Sequence, residues 1–363
     1  MIALTQEEAF ARIRLLRSPN IGPVSYRQLL RRFGHARAAL EALPDLARRG
    51  GGGYRIAPED RVAREVSAVR AAGARYLFHD AADYPPLLAE LDSAPPILTV
   101  RGDTALAQRP CVAIVGARNA SAAAVKLARQ FAGDLAEAGF TVVSGLARGI
   151  DGAAHRAALP GGTIGVIASG IDVTYPPEHA DLQEQVAVEG LLLAEQPPGT
   201  EPLARHFPSR NRIIAGLAAG TLVVEAAPRS GSLITARLAA EAGREVMAIP
   251  GSPLESRSQG CNQMIREGAV LVQCAADVAE LLSSFDGQPR SMLRESAEPY
   301  TLPDELGDEP ADVAGLLTTA PVAVDELIRQ SGESAAAVQL ALLELELGGR
   351  LVRHAGGRVS LAG

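Results

Sequence analysis

Seven short apolar segments recur between Cys111 and about Asp277, and segments of helical length separate most of them. The segments are CVAIVG, FTVVSG, GTIGVIASG, GLLLAEQ, GTLVVEA, EVMAIPG and AVLVQ. Most are apolar at successive positions rather than at alternate ones, as expected of strands that are buried on both faces. Such strands, connected by helices, form a parallel sheet that is covered by helices on both sides. The sequence therefore predicts a doubly wound α/β fold with a mostly parallel sheet.

Composition changes on both sides of this region. Residues 1–75 hold 14 arginines against 7 acidic residues, whereas residues 286–312 hold 2 arginines against 8 acidic residues. The acidic segment is also rich in Pro, Gly and Ser and has too few apolar residues to form a core, so we interpret it as a linker. The predicted organisation is an all-α domain at 1–75, the sheet domain at 76–285, the linker at 286–312 and a C-terminal domain at 313–363.

The two terminal segments have patterns of small helical modules. RSPNIGPVSYRQLLRRFG places Ile21-Gly22-Pro23 between two helical patterns. This is typical either of a helix-hairpin-helix, whose backbone amides contact a DNA phosphate, or of a plain helical hairpin. After the linker, a short helix, a turn at Ser331-Gly332, a longer helix and two strands around Gly356-Gly357 outline a winged helix. Because Ser334 to Leu347 contains no Arg or Lys, we expect this module to contact protein or to regulate rather than to read DNA.

Charge and cysteine usage exclude several classes of protein. The formal net charge of −7 argues against a uniformly basic nucleic-acid-binding protein. The three cysteines have no metal-ligand spacing, which predicts neither structural zinc nor disulfides. No apolar run reaches the roughly 18 residues of a membrane span, and no leader pattern opens the sequence, so we expect a cytoplasmic protein with no membrane association.

Glycine, serine and arginine follow several of the predicted strands. Loops at the carboxyl ends of parallel strands meet at one edge of the sheet, where ligands bind. Glycines let backbone amides approach an anion, and arginine forms a bidentate pair with phosphate oxygens. We therefore predict a phosphate-binding groove. Its candidate residues are Gly116, Arg118, Ser121, Ser144, Gly145, Arg148, Gly149, Ser230, Gly231 and Ser232.

A cluster of arginines around HFPSRNRIIAG adds the strongest candidates. The residues of this cluster are Arg205, Phe207, Arg210, Asn211 and Arg212. An aromatic ring beside arginines offers a base-stacking surface next to phosphate contacts, which favours a nucleic-acid strand over a mononucleotide. Two alternatives remain at this point: Phe207 fills the core, and Arg210 and Arg212 form structural ion pairs with Glu225 or Glu195.

The sequence contains few signs of catalysis. Asp151 and His155 lie four residues apart at a helix start, where they are either an acid/base pair or, as we favour, a helix-terminal Asp and a structural His. No nucleophile elbow, Walker lysine or metal-spaced cluster occurs, so we predict no enzyme activity, no cofactor and no metal. The alternative is a nucleotide hydrolase of the phosphoribohydrolase type, but Ser230 to Thr235 replaces that class's P-G-G-x-G-T-x-x-E loop and lacks its glutamate.

Several motifs in order resemble the DNA-processing protein A (DprA/Smf) family. They are VAIVGARNAS, SGLARGIDGAAH, GIDVTYPPEH, EQPPGTEPLARHFPSRNRIIAGL, TLVVEAAPRSGSLITARLAAEAGREVMAIPG and GCNQMIREGA. The resemblance implies an extended Rossmann-like domain that binds single-stranded DNA and forms homodimers. It further implies that the protein loads RecA, in place of single-strand-binding protein, onto strands taken up during natural transformation. Neither a nucleotide cofactor nor catalytic turnover is implied.

The same resemblance assigns roles to individual positions. The family's phosphate-binding arginine falls on Arg118, and its Phe-Pro-x-Arg-Asn-Arg segment falls on residues 207–212, with Phe207 as the base-contacting ring. Several relatives carry a lysine three residues before that phenylalanine, where this sequence has Ala204 followed by Arg205. The dimer and RecA surfaces are expected between roughly residues 243 and 282.

Overall fold

The structure is a computed structural model that describes residues 4–283, 306–307, 310–354 and 356–363. The chain divides into two compact units: the larger is Ser67–Ser296, and the smaller combines Met1–Val66 with Ala297–Gly363. Most of the predicted acidic linker lies outside the described residues.

The elements of the described residues follow in chain order. The helices are α1 (Gln6–Leu16), α2 (Pro23–Phe33), α3 (Ala36–Arg49), α4 (Glu59–Ala71), α5 (Pro86–Ala89), α6 (Ala122–Glu137), α7 (Ile150–Ala158), α8 (Ala180–Glu189), α9 (His206–Leu217), α10 (Gly231–Glu241), α11 (Gln259–Arg266), α12 (Ala275–Ser283), α13 (Val324–Ser331) and α14 (Ala335–Leu347). The strands are β1 (Arg75–Phe78), β2 (Ile97–Gly102), β3 (Cys111–Val115), β4 (Thr141–Ser144), β5 (Thr163–Gly170), β6 (Leu191–Gln196), β7 (Gly220–Val223), β8 (Glu245–Ala248), β9 (Val270–Leu271), β10 (Val322–Ala323), β11 (Leu351–His354) and β12 (Arg358–Leu361).

The larger unit is built on one sheet, which has nine strands among residues 67–283. The strand order is β1-β2-β6-β5-β4-β3-β7-β8-β9. Strands β3 to β9 are parallel and coincide with the seven apolar segments of the sequence, so the predicted α/β fold is confirmed. Strands β1 and β2 extend the sheet in antiparallel pairing and were not predicted.

Burial of both sheet faces explains the continuous apolar segments. Within β3, Ala113 and Val115 belong to one buried apolar cluster, while Val112 and Ile114 belong to another on the opposite face. The first cluster includes residues of α9 and α10, and the second includes residues of α6, α7 and α12. From β3 the sheet is extended on one side by β4, β5 and β6 and on the other side by β7, β8 and β9. In such sheets a ligand crevice forms between the two central strands, β3 and β7, at their carboxyl ends.

The smaller unit joins the N-terminal helices to the C-terminal winged helix. The helix α14 follows Ser334, whose hydroxyl caps it by accepting from the amide of Ala337, and β10, β12 and β11 form the antiparallel wing sheet. Leu340, Leu343 and Leu347 of α14 belong to the same apolar cluster as residues of α1, α2 and α3. The winged helix is confirmed, but the sequence did not predict that it shares a core with the N-terminal helices.

Candidate phosphate-binding site

A cavity of about 230 Å³ opens at the carboxyl end of the sheet. The β3–α6 loop, the β4–α7 loop, the segment after β5 and the first turns of α9 contribute to its wall. The structure brings five of the predicted residues together there: Arg118, Gly145, Arg148, Phe207 and Arg210. The loops of separate strands therefore meet as the parallel sheet requires.

Two guanidinium groups lie over one aromatic ring in this cavity. The Cζ atom of Arg118 is 5.0 Å from the centroid of the Phe207 ring, and that of Arg210 is 6.0 Å from it. Arg118 is exposed and, among the described residues, forms no ion pair, whereas Arg148 on the neighbouring loop pairs with Glu178. A side chain of this kind retains its charge and is free to bind an anion from solvent.

Arg210 differs from Arg118 because it is buried. Only 7% of the residue is exposed, and its Nε atom has no hydrogen-bond partner among the described residues. Burial lowers the pKa of Arg210 to about 10, and the nearby carboxylate of Asp151 opposes that shift. The guanidinium therefore stays charged at neutral pH while lacking a full set of partners, which makes an anion in the cavity a favourable ligand.

Because Gly145 has no side chain, the guanidinium group of Arg210 can occupy the space beside it. A Cβ atom on Gly145 would lie 1.4 Å from Nη1 of Arg210, so only glycine is compatible with this arrangement. Gly149 has a similar role in the backbone: its φ is 73°, and a Cβ there would lie 2.3 Å from the carbonyl oxygen of Ala117. The glycines thus let the β4–α7 loop approach both the β3–α6 loop and α9.

The buried carboxylate of Asp151 holds the β4–α7 loop. Its Oδ2 atom accepts hydrogen bonds from the backbone amides of Gly145 and Ala147, at 3.2 and 3.4 Å. Burial raises the pKa of Asp151, and Arg210 counteracts the rise. The sequence pattern predicted that loop amides would cradle phosphate, but these two amides are already bound to Asp151. In this conformation these two amides are therefore not available to a phosphate.

His155 belongs to the core rather than to the cavity. It is fully buried, its Nδ1 atom lies 2.8 Å from the hydroxyl oxygen of Thr163, and its Nε2 atom has no partner among the described residues. Burial lowers the pKa of His155 to about 3, with nearby His179 acting in the same direction. Its neutral imidazole is directed to Thr163, which agrees with a structural role.

Two predicted serines have other partners. The hydroxyl of Ser144 is buried and donates to the carbonyl oxygen of Ile114 at 2.6 Å. The backbone amide of Ser121 donates to the carboxylate of Glu225, and its hydroxyl accepts from the amide of Ala124 as the N-cap of α6. Both serines therefore position the loops around the cavity. In this conformation neither the Ser144 hydroxyl nor the Ser121 amide is available to a ligand.

Asn211 and Arg212, which belong to the same arginine cluster, do not line the cavity. Arg212 pairs with Glu195 and donates to the carbonyl oxygen of Ser93, as the structural alternative predicted. Asn211 donates to the carbonyl oxygen of Gly231 at 3.4 Å and so links α9 to the turn before α10.

Four other predicted residues also lie outside the cavity wall: Ser230, Gly231, Ser232 and Arg205. Ser230 instead caps α10, with its hydroxyl 2.8 Å from that of Ser232. Arg205 is exposed at the start of α9.

One further aromatic residue, Tyr175, contributes to the cavity wall. Tyr175 follows β5, lines the cavity and meets the Phe207 ring edge-on, with the ring centroids 5.8 Å apart. Its motif, GIDVTYPPEH, was part of the resemblance, and an aromatic ring after a central strand was a usable signal.

Gly116 packs so closely on Ile150 that a Cβ would lie 2.5 Å from Cγ1 of that residue. It therefore acts by close packing.

Membrane-spanning helices and metal-binding clusters are both absent from the described residues. No helix in that part of the chain is long and apolar enough to cross a membrane. No group of three or more His, Cys, Asp or Glu residues there is arranged to hold a metal ion.

The fold is that of a Rossmann-like protein, and its cavity is lined by guanidinium groups and aromatic rings. The model of the DNA recombination-mediator protein A family matches residues 75–283. The chain belongs to that family. Two further models match on either side of this region: a DprA-like N-terminal HHH domain at 6–68 and a DprA winged helix domain at 297–357.

Individual relatives agree with this membership. The chain is 35% identical to Protein Smf of Synechocystis over 315 residues, which are 78% of this chain and 79% of the relative. It is 49% identical to DNA processing protein DprA of Streptococcus pneumoniae over 197 residues, which are 54% of this chain and 70% of the relative.

Two solved structures of DNA processing protein A are also similar to this chain. The crystal structure of Streptococcus pneumoniae DprA has a TM-score of 0.66 and 36% identity, and the match covers 78% of this chain and 99% of that one. A structure of Helicobacter pylori DNA processing protein A, described for its single-stranded DNA binding mode, has a TM-score of 0.54 and 30% identity. That match covers 59% of this chain and 99% of the other.

Proposed function

We propose that this protein binds single-stranded DNA in the cavity formed by Arg118, Phe207 and Arg210. The observation that carries the proposal is the placement of two charged guanidinium groups over one aromatic ring. Guanidinium groups bind phosphate oxygens, and aromatic rings stack with bases, so the two together fit a nucleic-acid strand. The relative from Helicobacter pylori, which is described for single-stranded DNA binding, supports the same ligand.

The two arginines have different tasks in this proposal. Arg118 is exposed and reaches the approaching backbone first, whereas Arg210 is fixed by burial beside Gly145 and receives a phosphate in the cavity. Ser144, Ser121 and Gly149 keep the loops in place. Arg205, which is exposed at the start of α9, adds positive charge near the cavity.

The wider role follows from membership of the recombination-mediator family. We propose that the protein acts in the cytoplasm as a homodimer, protects strands taken up in natural transformation and loads RecA onto them in place of single-strand-binding protein. A dimer would present two cavities to one strand and so raise the affinity through effective concentration. The expected dimer and RecA surfaces lie between residues 243 and 282.

Binding is tested with a labelled oligonucleotide, offered either as a single strand or as a duplex of the same sequence, and followed by fluorescence anisotropy. We expect tighter binding of the single strand by the full chain. Equal affinity for the two forms, or no binding of either, would refute the proposal.

Loading is tested with RecA and a strand coated with single-strand-binding protein. The full chain should shorten the lag before RecA hydrolyses ATP on the coated strand, and an Arg118→Ala variant should shorten it less. A lag that is the same with and without the protein would leave DNA binding intact as a function and remove the loading step.

The alternative of a nucleotide hydrolase makes a different prediction. Hydrolases of that type need a carboxylate at the reacting sugar, yet no Asp or Glu of the described residues lines the cavity, and Asp151 behind it is buried. This supports a protein without catalytic turnover. Incubation with AMP should therefore release no adenine, and release with repeated turnover would restore the enzyme hypothesis.

A further inference from the structure

Tyr175 is a large aromatic residue left exposed at the wall of the cavity. It follows β5, 41% of the residue is exposed, and its hydroxyl has no hydrogen-bond partner among the described residues. Aromatic rings bury large apolar areas, and a tyrosine that is 41% exposed forgoes part of that stabilisation. A ligand that covers the ring would recover it.

The neighbouring Phe207 is less accessible to a stacking ligand. Arg118 and Arg210 both place guanidinium groups over its ring, and Tyr175 contacts it at an interplanar angle of 61°. A base that stacks on Phe207 must first displace a guanidinium group and the cation–π contact that it makes. No guanidinium group of the described residues lies over the Tyr175 ring in this way.

The backbone around Tyr175 is anchored to the phosphate-binding loops. Pro176 is buried, and Glu178 pairs with Arg148 of the β4–α7 loop. His179 is also buried, with its Nδ1 atom 3.0 Å from the carbonyl oxygen of Leu146 in that loop. These contacts, together with the edge-on contact with Phe207, fix the Tyr175 ring beside Arg118 and Arg210. Bases attached to a bound backbone would lie at this place.

We propose that Tyr175 is a base-stacking residue of this protein and that Phe207 mainly positions Arg118 and Arg210 for the phosphates. The proposal rests on single-strand binding at the same cavity. Because every base has a π face, the contact carries no sequence preference. It assigns base contact to Tyr175, whereas the resemblance to relatives assigned it to Phe207.

The chain has no tryptophan, so a Tyr175→Trp variant carries a single fluorescent reporter at the proposed contact. It is titrated with a single-stranded oligonucleotide and with an abasic strand of the same length, which has the phosphates but not the bases. We expect the normal strand to quench the fluorescence strongly. The abasic strand should bind, as measured by anisotropy, without quenching.

Affinity gives a second, independent readout. Tyr175→Phe keeps the ring and should bind the normal strand like the unmodified chain, whereas Tyr175→Leu should lose about 5- to 100-fold, the range of one stacked base. Neither change should affect the abasic strand. Tyr76→Leu removes a partly buried aromatic residue of β1, outside the cavity, and serves as the control.

The outcomes separate this inference from the proposed function. Binding of both strands by the unmodified chain, with no quenching and with equal affinities for Tyr175→Leu and Tyr175→Phe, would overturn the stacking role and leave single-strand binding standing. Failure of the unmodified chain to bind either strand would overturn both.

Discussion

Arg118 and Arg210 have the same side chain but different surroundings, and this difference sets what each one contributes. Arg118 is exposed and forms no ion pair among the described residues, while Arg210 is buried and its Nε atom has no partner there. Exposed charges contribute through counterion release, which depends on salt. Buried charges contribute through hydrogen bonds whose loss is costly in any salt.

We therefore predict that Arg118→Ala lowers single-strand affinity about ten-fold or more and flattens the plot of log affinity against log salt by about 0.7, the value for one phosphate contact on a single strand. Anisotropy titrations at several salt concentrations measure both. Arg129→Ala, which removes an exposed arginine of α6, is the matched control and should change neither. An unchanged slope in the Arg118 variant would place that residue outside the interface.

Gly145→Ala should damage the site without changing any charge. The new methyl group must displace the Arg210 guanidinium, because a Cβ at position 145 would lie only 1.4 Å from the Nη1 atom. Losing one charged hydrogen-bonding contact of about 1.5–3 kcal/mol corresponds to a loss of affinity of about 10- to 100-fold. Gly133→Ala is the control, because a Cβ there has open space within α6 and should only stabilise the helix. Equal affinities for the two variants would contradict the assigned role of Arg210.

His155 predicts a loss of stability in acid. Burial lowers its pKa in the folded protein to about 3, against an ordinary value of 6.5. Below pH 6.5 the unfolded chain therefore binds a proton that the folded chain does not, and folding stability falls as the pH drops towards 3. At pH 4.5 this amounts to about 2–3 kcal/mol relative to neutral pH.

Denaturant unfolding at pH 7 and pH 4.5 measures this loss. A His155→Gln variant should lose less stability over that range than the unmodified chain. His35→Asn, at an exposed helix cap, should lose as much as the unmodified chain. Identical losses in the His155 variant and the unmodified chain would contradict the buried neutral state.

The sequence predicted some residues of the candidate site but not the contacts that others make. The structure brings Arg118, Phe207 and Arg210 into one cavity, and the sequence predicted them because their side chains suit phosphates and bases and follow parallel strands. The partners of Ser121 and Ser144 could not be identified, because each hydroxyl or amide is bound by a residue distant in sequence. Glu225, which binds the Ser121 amide, is 104 positions away.

At the scale of elements, strands β3 to β9 were predictable because burial on both faces leaves continuous apolar segments. The edge strand β1 was missed because only Leu77 of its four residues is fully buried, so its pattern lacks that signal. The sequence of α14, AAAVQLALLELEL, is apolar around most of the helix circumference, and such a helix is normally covered on several sides. The structure covers it with the N-terminal helices and the wing.

Leu343→Ala should therefore destabilise both ends of the chain together. This fully buried side chain lies in the cluster that joins α14 to α2 and α3, and its truncation should cost about 2–5 kcal/mol. Hydrogen exchange should show faster exchange at amides of residues 23–49 as well as in α14, while β3 to β8 remain protected. Val352→Ala, at a residue that is 43% exposed, is the control. Faster exchange confined to α13 and α14 would show that the two segments fold separately.

At the scale of the whole molecule, charge and accessibility favour the proposed nucleic-acid site in the larger unit over the winged helix. Because the net charge is −7, the molecule as a whole does not attract DNA, and affinity must come from a local positive site. A winged helix reads duplex DNA by inserting its second helix into the major groove. Here that helix, α14, has nine buried residues and no Arg or Lys. The helix cannot enter a groove without losing the core that it shares with α2 and α3.

The intact chain should accordingly bind duplex DNA weakly, and Arg118→Ala should weaken both duplex and single-strand binding. Arg350→Ala removes an exposed arginine beside the wing and should weaken neither. Competition titrations, in which unlabelled duplex displaces a labelled single strand, compare the two ligands in one experiment. The full-length chain is the appropriate protein, because truncation before the winged helix would expose the apolar faces of α2 and α3. If the Arg118 variant bound duplex as tightly as the unmodified chain, duplex DNA would have to bind at a site that does not include Arg118.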